Sequence, residues 1–189
     1  MSHSAPVVEG LSVDEFMAYD TPDGKAELVR GELRVTPPPG AGHGGVIVEL
    51  IVRLKTYVDA HKLGRVLTNV GFELLQLPRT VRAPDVSFVR QGRLPVGGLG
   101  AGLLRLAPDL AVEVVSPSET RALREEKLDD YRNSSVPLVW VIDPPTRTVM
   151  IVEGNIARRV LVEGDSFDGG VVIPDFSCKV SDLFEGLAR

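Results

Sequence analysis

The chain has 189 residues, of which 43% are hydrophobic and 25% charged, and its formal net charge is −5. This composition is typical of a globular protein with a substantial core, and no apolar stretch is long enough to span a membrane. The single cysteine, Cys178, excludes an internal disulfide, and the negative charge argues against a protein that coats nucleic acid without specificity. The first residues lack a basic segment followed by an apolar one, so we expect a cytoplasmic protein.

The first third of the chain predicts a short helix, a hairpin and a long helix. A capping box that opens with Ser12 marks the start of the short helix. Two short apolar segments, 26–29 and 32–35, meet at a glycine and are typical of a β-hairpin. Apolar residues at helical spacing then predict a helix over 46–62, with Gly64 as its C-terminal cap.

The rest of the chain alternates short apolar segments with two further helices. We expect strands at 66–68, 72–77, 86–89, 110–115, 139–142, 149–152 and 159–162, and helices at 119–132 and 180–187. A glycine-rich stretch, 92–102, is interpreted as a mobile loop. This order predicts a single α/β domain over 1–189, with a mixed β-sheet flanked by helices, an N-terminal hairpin and C-terminal antiparallel strands.

Two of the apolar segments contain one carboxylate each. Glu113 interrupts the apolar run 110–115, where a buried carboxylate without a partner is costly or neutralises itself. It therefore requires an arginine, a lysine or a metal ion. Asp85 stands in the same way beside the apolar segment 86–89. Carboxylates on two neighbouring buried strands suggest a site for a hard divalent cation, Mg²⁺ or Mn²⁺.

Lys127 is predicted to lie on the buried side of the helix 119–132. It shares that side with the residues Leu123, Leu128 and Tyr131. The acidic residues are expected on the opposite side: Glu125, Glu126 and Asp129. A lysine in such a position needs a partner, and the helix begins just after the segment that contains Glu113. Two interpretations stay open: Lys127 assists metal-dependent catalysis, or it forms a buried ion pair with Glu113 and no metal is involved.

Three further residues are candidates for the site. Glu27, in the hairpin, is either a metal or water ligand or the cross-strand partner of an arginine. His43, among glycines before the long helix, would contact a phosphate or cap the helix locally. Arg82 is one of five arginines between residues 79 and 105, a stretch with a single acid, and is a candidate substrate contact. The alternative for this stretch is a solvated, arginine-rich loop.

The order and spacing of these segments resemble a known family. Pro84-Asp85, followed 28 positions later by Glu113-Val114-Val115, resembles the signature of PD-(D/E)XK nucleases. Within that superfamily, the chain from about Leu11 to about Leu183 resembles the bacterial Uma-two family of restriction-endonuclease-like proteins. The matching segments are Glu27–Leu33, His43, Arg82–Val86, Leu110–Ser118, Lys127 with Tyr131, and Val139–Pro144.

The resemblance implies a restriction-endonuclease-like fold and Mg²⁺- or Mn²⁺-dependent hydrolysis of DNA by water attack on a phosphodiester. Asp85 and Glu113 would hold the metal, Lys127 would assist, and Glu27 would join them. The superfamily has a lysine two residues after the acid, where this chain has Val115. The resemblance implies that Lys127 takes its place. A homodimer would supply two sites for cutting both strands.

Two other functions stay open on the sequence. A binding or scaffold protein would keep the fold without activity, and the acidic composition favours it, whereas retention of Asp85, Glu113 and Lys127 argues against it. A phosphoesterase for small phosphate esters would need only a small basic patch. Because neighbouring carboxylates repel each other without a metal, Asp85→Asn is predicted to leave the fold intact or to raise its melting temperature.

Overall fold

The computed structural model describes residues 10–19, 24–76, 79–154 and 157–187. The first helix, α1 (Val13–Met17), begins with the predicted capping box, in which the Glu15 N–H donates to the hydroxyl of Ser12. The hairpin follows as two antiparallel strands, β1 (Lys25–Val29) and β2 (Glu32–Thr36).

The long helix, α2 (Ala41–Ala60), begins earlier and ends earlier than predicted. Its apolar periodicity starts only at Val46, so the sequence pattern did not reveal that the preceding glycine-rich segment is helical. Gly64 is not the cap, and the prediction was wrong. It opens the strand β3 (Gly64–Thr68), where a Cβ atom would lie 2.0 Å from the carbonyl oxygen of Val89. Glycine is therefore required by a close approach of two strands.

The remaining elements follow in chain order. They are β4 (Phe72–Gln76), β5 (Arg79–Arg82), β6 (Val86–Arg90), β7 (Leu110–Val114), α3 (Arg121–Asn133), β8 (Leu138–Asp143), β9 (Thr148–Glu153), β10 (Ala157–Leu161), β11 (Ser166–Gly169) and β12 (Ile173–Lys179). Short 3₁₀ helices occupy Gln91–Arg93 and Val180–Phe184, and the second replaces the C-terminal α-helix that was predicted. The strands β5, β11 and β12 were not predicted, because arginines, glycines and a proline interrupt their apolar patterns.

Within the described residues, the strands form sheets of four, six and two members. Their orders are β2-β1-β5-β4, β10-β9-β8-β7-β6-β3 and β11-β12. In the larger sheet, β7 and β8 are parallel and α3 connects them, whereas β6 and β9 are antiparallel to their neighbours. This arrangement confirms the predicted α/β class with a mixed sheet, an N-terminal hairpin and C-terminal antiparallel strands.

The six-stranded sheet carries a helix on each face. On one face, alternate residues of β7 and β8 such as Val112 and Trp140 pack with the buried side of α2. On the other face, Ala111 and its neighbours pack with Leu128 and Tyr131 of α3. Because side chains alternate along a strand, Glu113 belongs to the face that α3 covers. No helix in the described ranges is long and apolar enough to cross a membrane.

Candidate active site

The two predicted carboxylates lie on neighbouring segments of the chain in the six-stranded sheet, one within β7 and one just before β6. Asp85 lies between β5 and β6, and Val86 pairs with Val112 in the antiparallel register of β6 and β7. Continuing that register by one residue places Asp85 beside Glu113. The charges of both carboxylates act on the ammonium group of Lys25, which links the two acids electrostatically.

The carboxylate of Asp85 is held by three donors. Its Oδ1 lies 3.0 Å from Lys25 Nζ, and its Oδ2 accepts the N–H of Val114 at 2.8 Å. The Nε2 atom of His43 is 3.2 Å from the same Oδ2. Burial alone would raise the pKa of Asp85, but the hydrogen bonds from His43 and Val114 and the charge of Lys25 hold that pKa well below its usual range. Asp85 is therefore ionised at neutral pH.

The carboxylate of Glu113 is held from the side of α3. Its Oε1 accepts the hydroxyl of Tyr131 at 2.5 Å, and its Oε2 lies 2.8 Å from Lys127 Nζ. Lys127 also lies 3.1 Å from Oε1 of Glu119 in the loop before α3. Burial opposes the charge of Lys127, yet the charges of Glu113, Glu27 and Glu119 raise the pKa of its ammonium group. Lys127 thus contacts Glu113 as predicted. This contact is consistent with a catalytic role and equally with a structural ion pair.

Lys25 is a member of the site that the sequence analysis missed. It opens β1, two residues before Glu27, and its ammonium group contacts Asp85. Burial works against its charge, but the carboxylates of Glu113, Asp85 and Glu27 raise the pKa of Lys25. The available signal was strand alternation, since residues two apart on β1 project to the same side.

Arg82 lies at the centre of a buried ion network. Its guanidinium contacts Oε2 of Glu27 at 2.9 Å, Oε1 of Glu126 at 2.7 Å and Oδ2 of Asp130 at 2.6 Å. Only 2% of the Arg82 side chain is exposed. The guanidinium is therefore directed at three carboxylates, whereas the sequence suggested a contact with substrate. The second oxygen of Glu27 accepts the N–H of Ala83 at 2.9 Å, so this acid is bound as the partner of an arginine.

The network also corrects the predicted orientation of α3. Glu126 was expected on the outer side, but it turns inward to Arg82 and Arg34. Asp130, which the sequence analysis did not select, is buried. Leu123, expected on the inner side, is 43% exposed. α3 packs on apolar residues of the six-stranded sheet but also lies beside arginines of the four-stranded sheet, Arg34 and Arg82, and Glu126 turns toward them.

The site opens into a cleft of about 1060 Å³. Its wall includes side chains of both sheets, both flanking helices and the loop before α3. The ionisable side chains of this wall are Lys25, Glu27, Arg34, His43, Arg82, Asp85, Glu119 and Lys127. Glu113 is only 3% exposed and does not itself line the described wall of the cleft. A ligand that enters the cleft therefore meets Asp85 and the two lysines before it meets Glu113.

His43 occupies the first turn of α2, at the edge of the cleft. The residue that precedes the helix, Gly40, gives it no side-chain cap. The imidazole is 9% exposed, and its Nδ1 atom is buried and has no hydrogen-bond partner in the part of the chain that the structure describes. The expectation of a purely local cap is not met, because the imidazole contacts Asp85 on another element.

The arginine-rich stretch between residues 79 and 105 does not form one free basic surface. Arg82 is internal, as described above. Arg93 contacts the buried carboxylate of Asp109 at 2.9 Å, and Arg105 lies 3.5 Å from Glu73. Much of this positive charge is therefore compensated within the chain.

The donor chemistry of the site fits a hard divalent cation. Asp85 and Glu113 both provide carboxylate oxygens, and a cation, the ammonium group of Lys25, already lies beside Asp85 and is affected by the charge of Glu113. Among the described residues, no three His, Cys, Asp or Glu side chains converge as a complete ligand set. Mg²⁺ is commonly held by one or two carboxylates, with water and substrate oxygens as its other ligands, so two acids suffice.

Comparisons with known proteins agree with this fold. A family model described as “Uma2: Putative restriction endonuclease” matches residues 13–181. The crystal structure of a protein from Anabaena variabilis ATCC 29413, described as a “putative nuclease belonging to DUF820”, is similar with a TM-score of 0.80. The two sequences are 20% identical, and the match covers 92% of this chain and 97% of that one. A search of curated proteins gave no match.

Proposed function

Because the chain belongs to the Uma2 family, we propose that it is a divalent-metal-dependent nuclease that hydrolyses phosphodiester bonds of DNA and acts in the cytoplasm. One observation supports this proposal: two buried acids, Asp85 and Glu113, both act on the ammonium group of Lys25 in the wall of the cleft, and Lys127 contacts one of them.

The residues of the site divide into ligands, a charge-stabilising group and positioning groups. Asp85 and Glu113 would hold Mg²⁺ or Mn²⁺, which when bound would polarise a phosphoryl oxygen and lower the pKa of a water molecule. Lys127, fixed by Glu113 and Glu119, would stabilise the negative charge that develops on the phosphate. Arg82 would act indirectly, by fixing Glu27 and the carboxylates of α3.

A cleavage assay tests the proposal. Purified protein is incubated with supercoiled and linear DNA in MgCl₂, in MnCl₂ and in EDTA. We expect cleavage only with a divalent cation, and a loss of about a hundredfold or more in Asp85→Asn and Glu113→Gln. Glu125→Gln, which removes a carboxylate on α3 that contacts Arg158 outside the cleft, is the matched control. Cleavage in EDTA, or full activity of both site variants, would refute the proposal.

A second candidate is a phosphoesterase for small phosphate esters. The four basic side chains on the described cleft wall, Lys25, Arg34, Arg82 and Lys127, each contact a carboxylate. Little unpaired positive charge is then left on the cleft wall. Binding of a long polyanion such as DNA depends on such charge. Parallel assays on bis(p-nitrophenyl) phosphate, a dinucleotide and plasmid DNA separate the two functions.

Absence of both metal binding and hydrolysis would favour a scaffold protein. Light scattering of the protein, with and without DNA, would give its molar mass and thus show whether a homodimer forms.

A further inference from the structure

Lys25 holds the place of a cation in the metal-free site. Its Nζ is 3.0 Å from Asp85, and the charges of Glu113, Asp85 and Glu27 all act on it. Among the described residues, Lys127 contacts two carboxylates, Glu113 and Glu119, whereas Lys25 contacts one, that of Asp85. Lys25 is therefore the less constrained of the two ammonium groups.

A divalent cation and this ammonium group cannot share the carboxylate of Asp85 at low cost. Two positive centres a few ångströms apart repel each other strongly in a partly buried site. The N–H of Val114 and His43 contact Oδ2 of Asp85, so within the described ranges Lys25 is the one partner of Oδ1. That oxygen is thus the one a cation gains when Lys25 leaves.

We propose that Lys25 is the resident counter-ion of this site and that a divalent cation binds Asp85 by displacing the Lys25 ammonium into the cleft. The inference rests on the proposed function, because it takes Asp85 and Glu113 as the metal ligands. The displaced ammonium has room to move, since Lys25 lines the cleft on a flexible four-carbon chain and is 23% exposed.

Displacement of the Lys25 ammonium group from Asp85 would give the cleft an unpaired positive charge, which it lacks when no metal is bound. The ammonium that leaves Asp85 becomes an unpaired cation on a wall whose other described basic groups are engaged with carboxylates. The chemical group that it can bind there is a phosphate oxygen of the substrate. Metal binding and phosphate binding are thereby coupled through one side chain.

Titration of Mn²⁺ by calorimetry tests the displacement. We expect Lys25→Met to bind Mn²⁺ about tenfold or more tightly than the wild type, within the usual range of coupling between two binding events. The matched control is Lys55→Met, which removes an exposed lysine that also contacts one carboxylate, Asp59, on the surface of α2. Its affinity for Mn²⁺ should equal that of the wild type. Unchanged or weaker binding by folded Lys25→Met would overturn the proposal.

A second measurement needs no variant and covers the case in which Lys25→Met does not fold. Reductive methylation of the wild type, read by mass spectrometry at each lysine, should modify Lys25 faster with saturating Mg²⁺ than in EDTA, while Lys55 reacts equally in both. Equal or slower reaction of Lys25 with Mg²⁺ would contradict displacement.

The outcomes separate this inference from the proposed function. Metal-dependent cleavage with unchanged Mn²⁺ affinity in Lys25→Met would refute the displacement and leave the nuclease standing. Binding by Lys25→Met but not by the wild type would support the displacement, even if neither cleaved DNA. Absence of Mn²⁺ binding by both proteins would refute the two proposals together.

Discussion

Lys127 is the residue on which the proposed chemistry and the stability of the site depend together. Its ammonium bridges Glu113 on β7 and Glu119 in the loop that leads to α3. Tyr131 binds the other oxygen of Glu113, so that carboxylate keeps one donor if the lysine is removed. This arrangement makes a substitution at position 127 informative, because the loss of charge need not leave Glu113 wholly unpartnered.

Lys127→Met is expected to fold, to bind Mn²⁺ and to cleave DNA at least about a hundredfold more slowly than the wild type. Methionine preserves much of the volume of the aliphatic chain but removes the charge. Lys127→Arg should restore little activity, since a planar guanidinium does not replace a compact ammonium. Circular dichroism, Mn²⁺ titration and the cleavage rate check the three parts. Full cleavage would remove Lys127 from the mechanism, and failure to fold would favour a structural ion pair.

The contacts of Asp85 reverse the expectation that its neutralisation would stabilise the protein. Its carboxylate is surrounded by donors, so we expect Asp85→Asn to lower the free energy of unfolding of the metal-free protein by about 1–3 kcal/mol at pH 7. Urea unfolding of the wild type and the variant measures the difference. A variant as stable as the wild type, or more stable, would restore the interpretation based on repulsion between carboxylates.

The pH dependence of that difference follows from the lowered pKa of Asp85. A carboxyl whose pKa is lower in the folded protein stabilises the fold above its unfolded pKa, about 3.9, and this contribution is lost as the pH falls toward the folded pKa. The stability gap between the wild type and Asp85→Asn should therefore be present above about pH 4 and narrow progressively below it. A gap that widens as the pH falls below about 4 would contradict the assigned ionisation.

At the scale of secondary-structure elements, the ion network of Arg82 fastens α3 to the four-stranded sheet. Glu27 belongs to β1, Arg82 to β5, and Glu126 and Asp130 to α3. The same helix carries Lys127, so the position of the Lys127 ammonium group depends on where the ion network holds α3 against the four-stranded sheet. Arg30 and Arg34 also contact acids of α3, but Arg82 is the buried cation that the acids of β1 and α3 share, so its removal would leave these acids without that common partner.

Arg82→Met is expected to lower the free energy of unfolding by about 3–5 kcal/mol, the usual cost of breaking a buried ion pair on one side. The matched control is Arg79→Met, which removes an exposed arginine from the same strand and should change stability little. Thermal and urea denaturation measure both variants. A loss below about 1 kcal/mol for Arg82→Met would show that the network contributes to specificity of packing and not to stability.

The elements that the sequence predicted well are those whose signal is local. The capping box of α1 and the periodic apolar face of α2 involve neighbouring residues, and each appears in the structure. The strand β5 was missed because arginines stand at both of its ends, and one of them, Arg82, is buried by ion pairing although the sequence suggests an exposed residue. Element boundaries at glycines failed for a related reason, since Gly64 is required by contact with a distant strand.

At the scale of the whole molecule, the site could be predicted in part because lone charges in apolar segments demand partners. Asp85, Glu113 and Lys127 are charges of this kind. A charged residue in a segment where polar residues are common gives no such signal. Lys25 and Asp130 lie in segments with ordinary charge content, and their partners come from other parts of the fold, 60 residues away for Lys25 and 48 for Asp130. Only the assembled sheets and helices make them neighbours, so pattern analysis along the chain could not find them.

The distance along the chain between Arg82 and its acids also sets an order of assembly during synthesis. Asp130 follows Arg82 by 48 residues, whereas Glu27 precedes it by 55. As the nascent chain leaves the ribosome, the hairpin acid and the arginine are available well before the helix that completes their charge balance. The cleft can therefore be completed only after the α3 segment has emerged, because that helix supplies Lys127 to its wall.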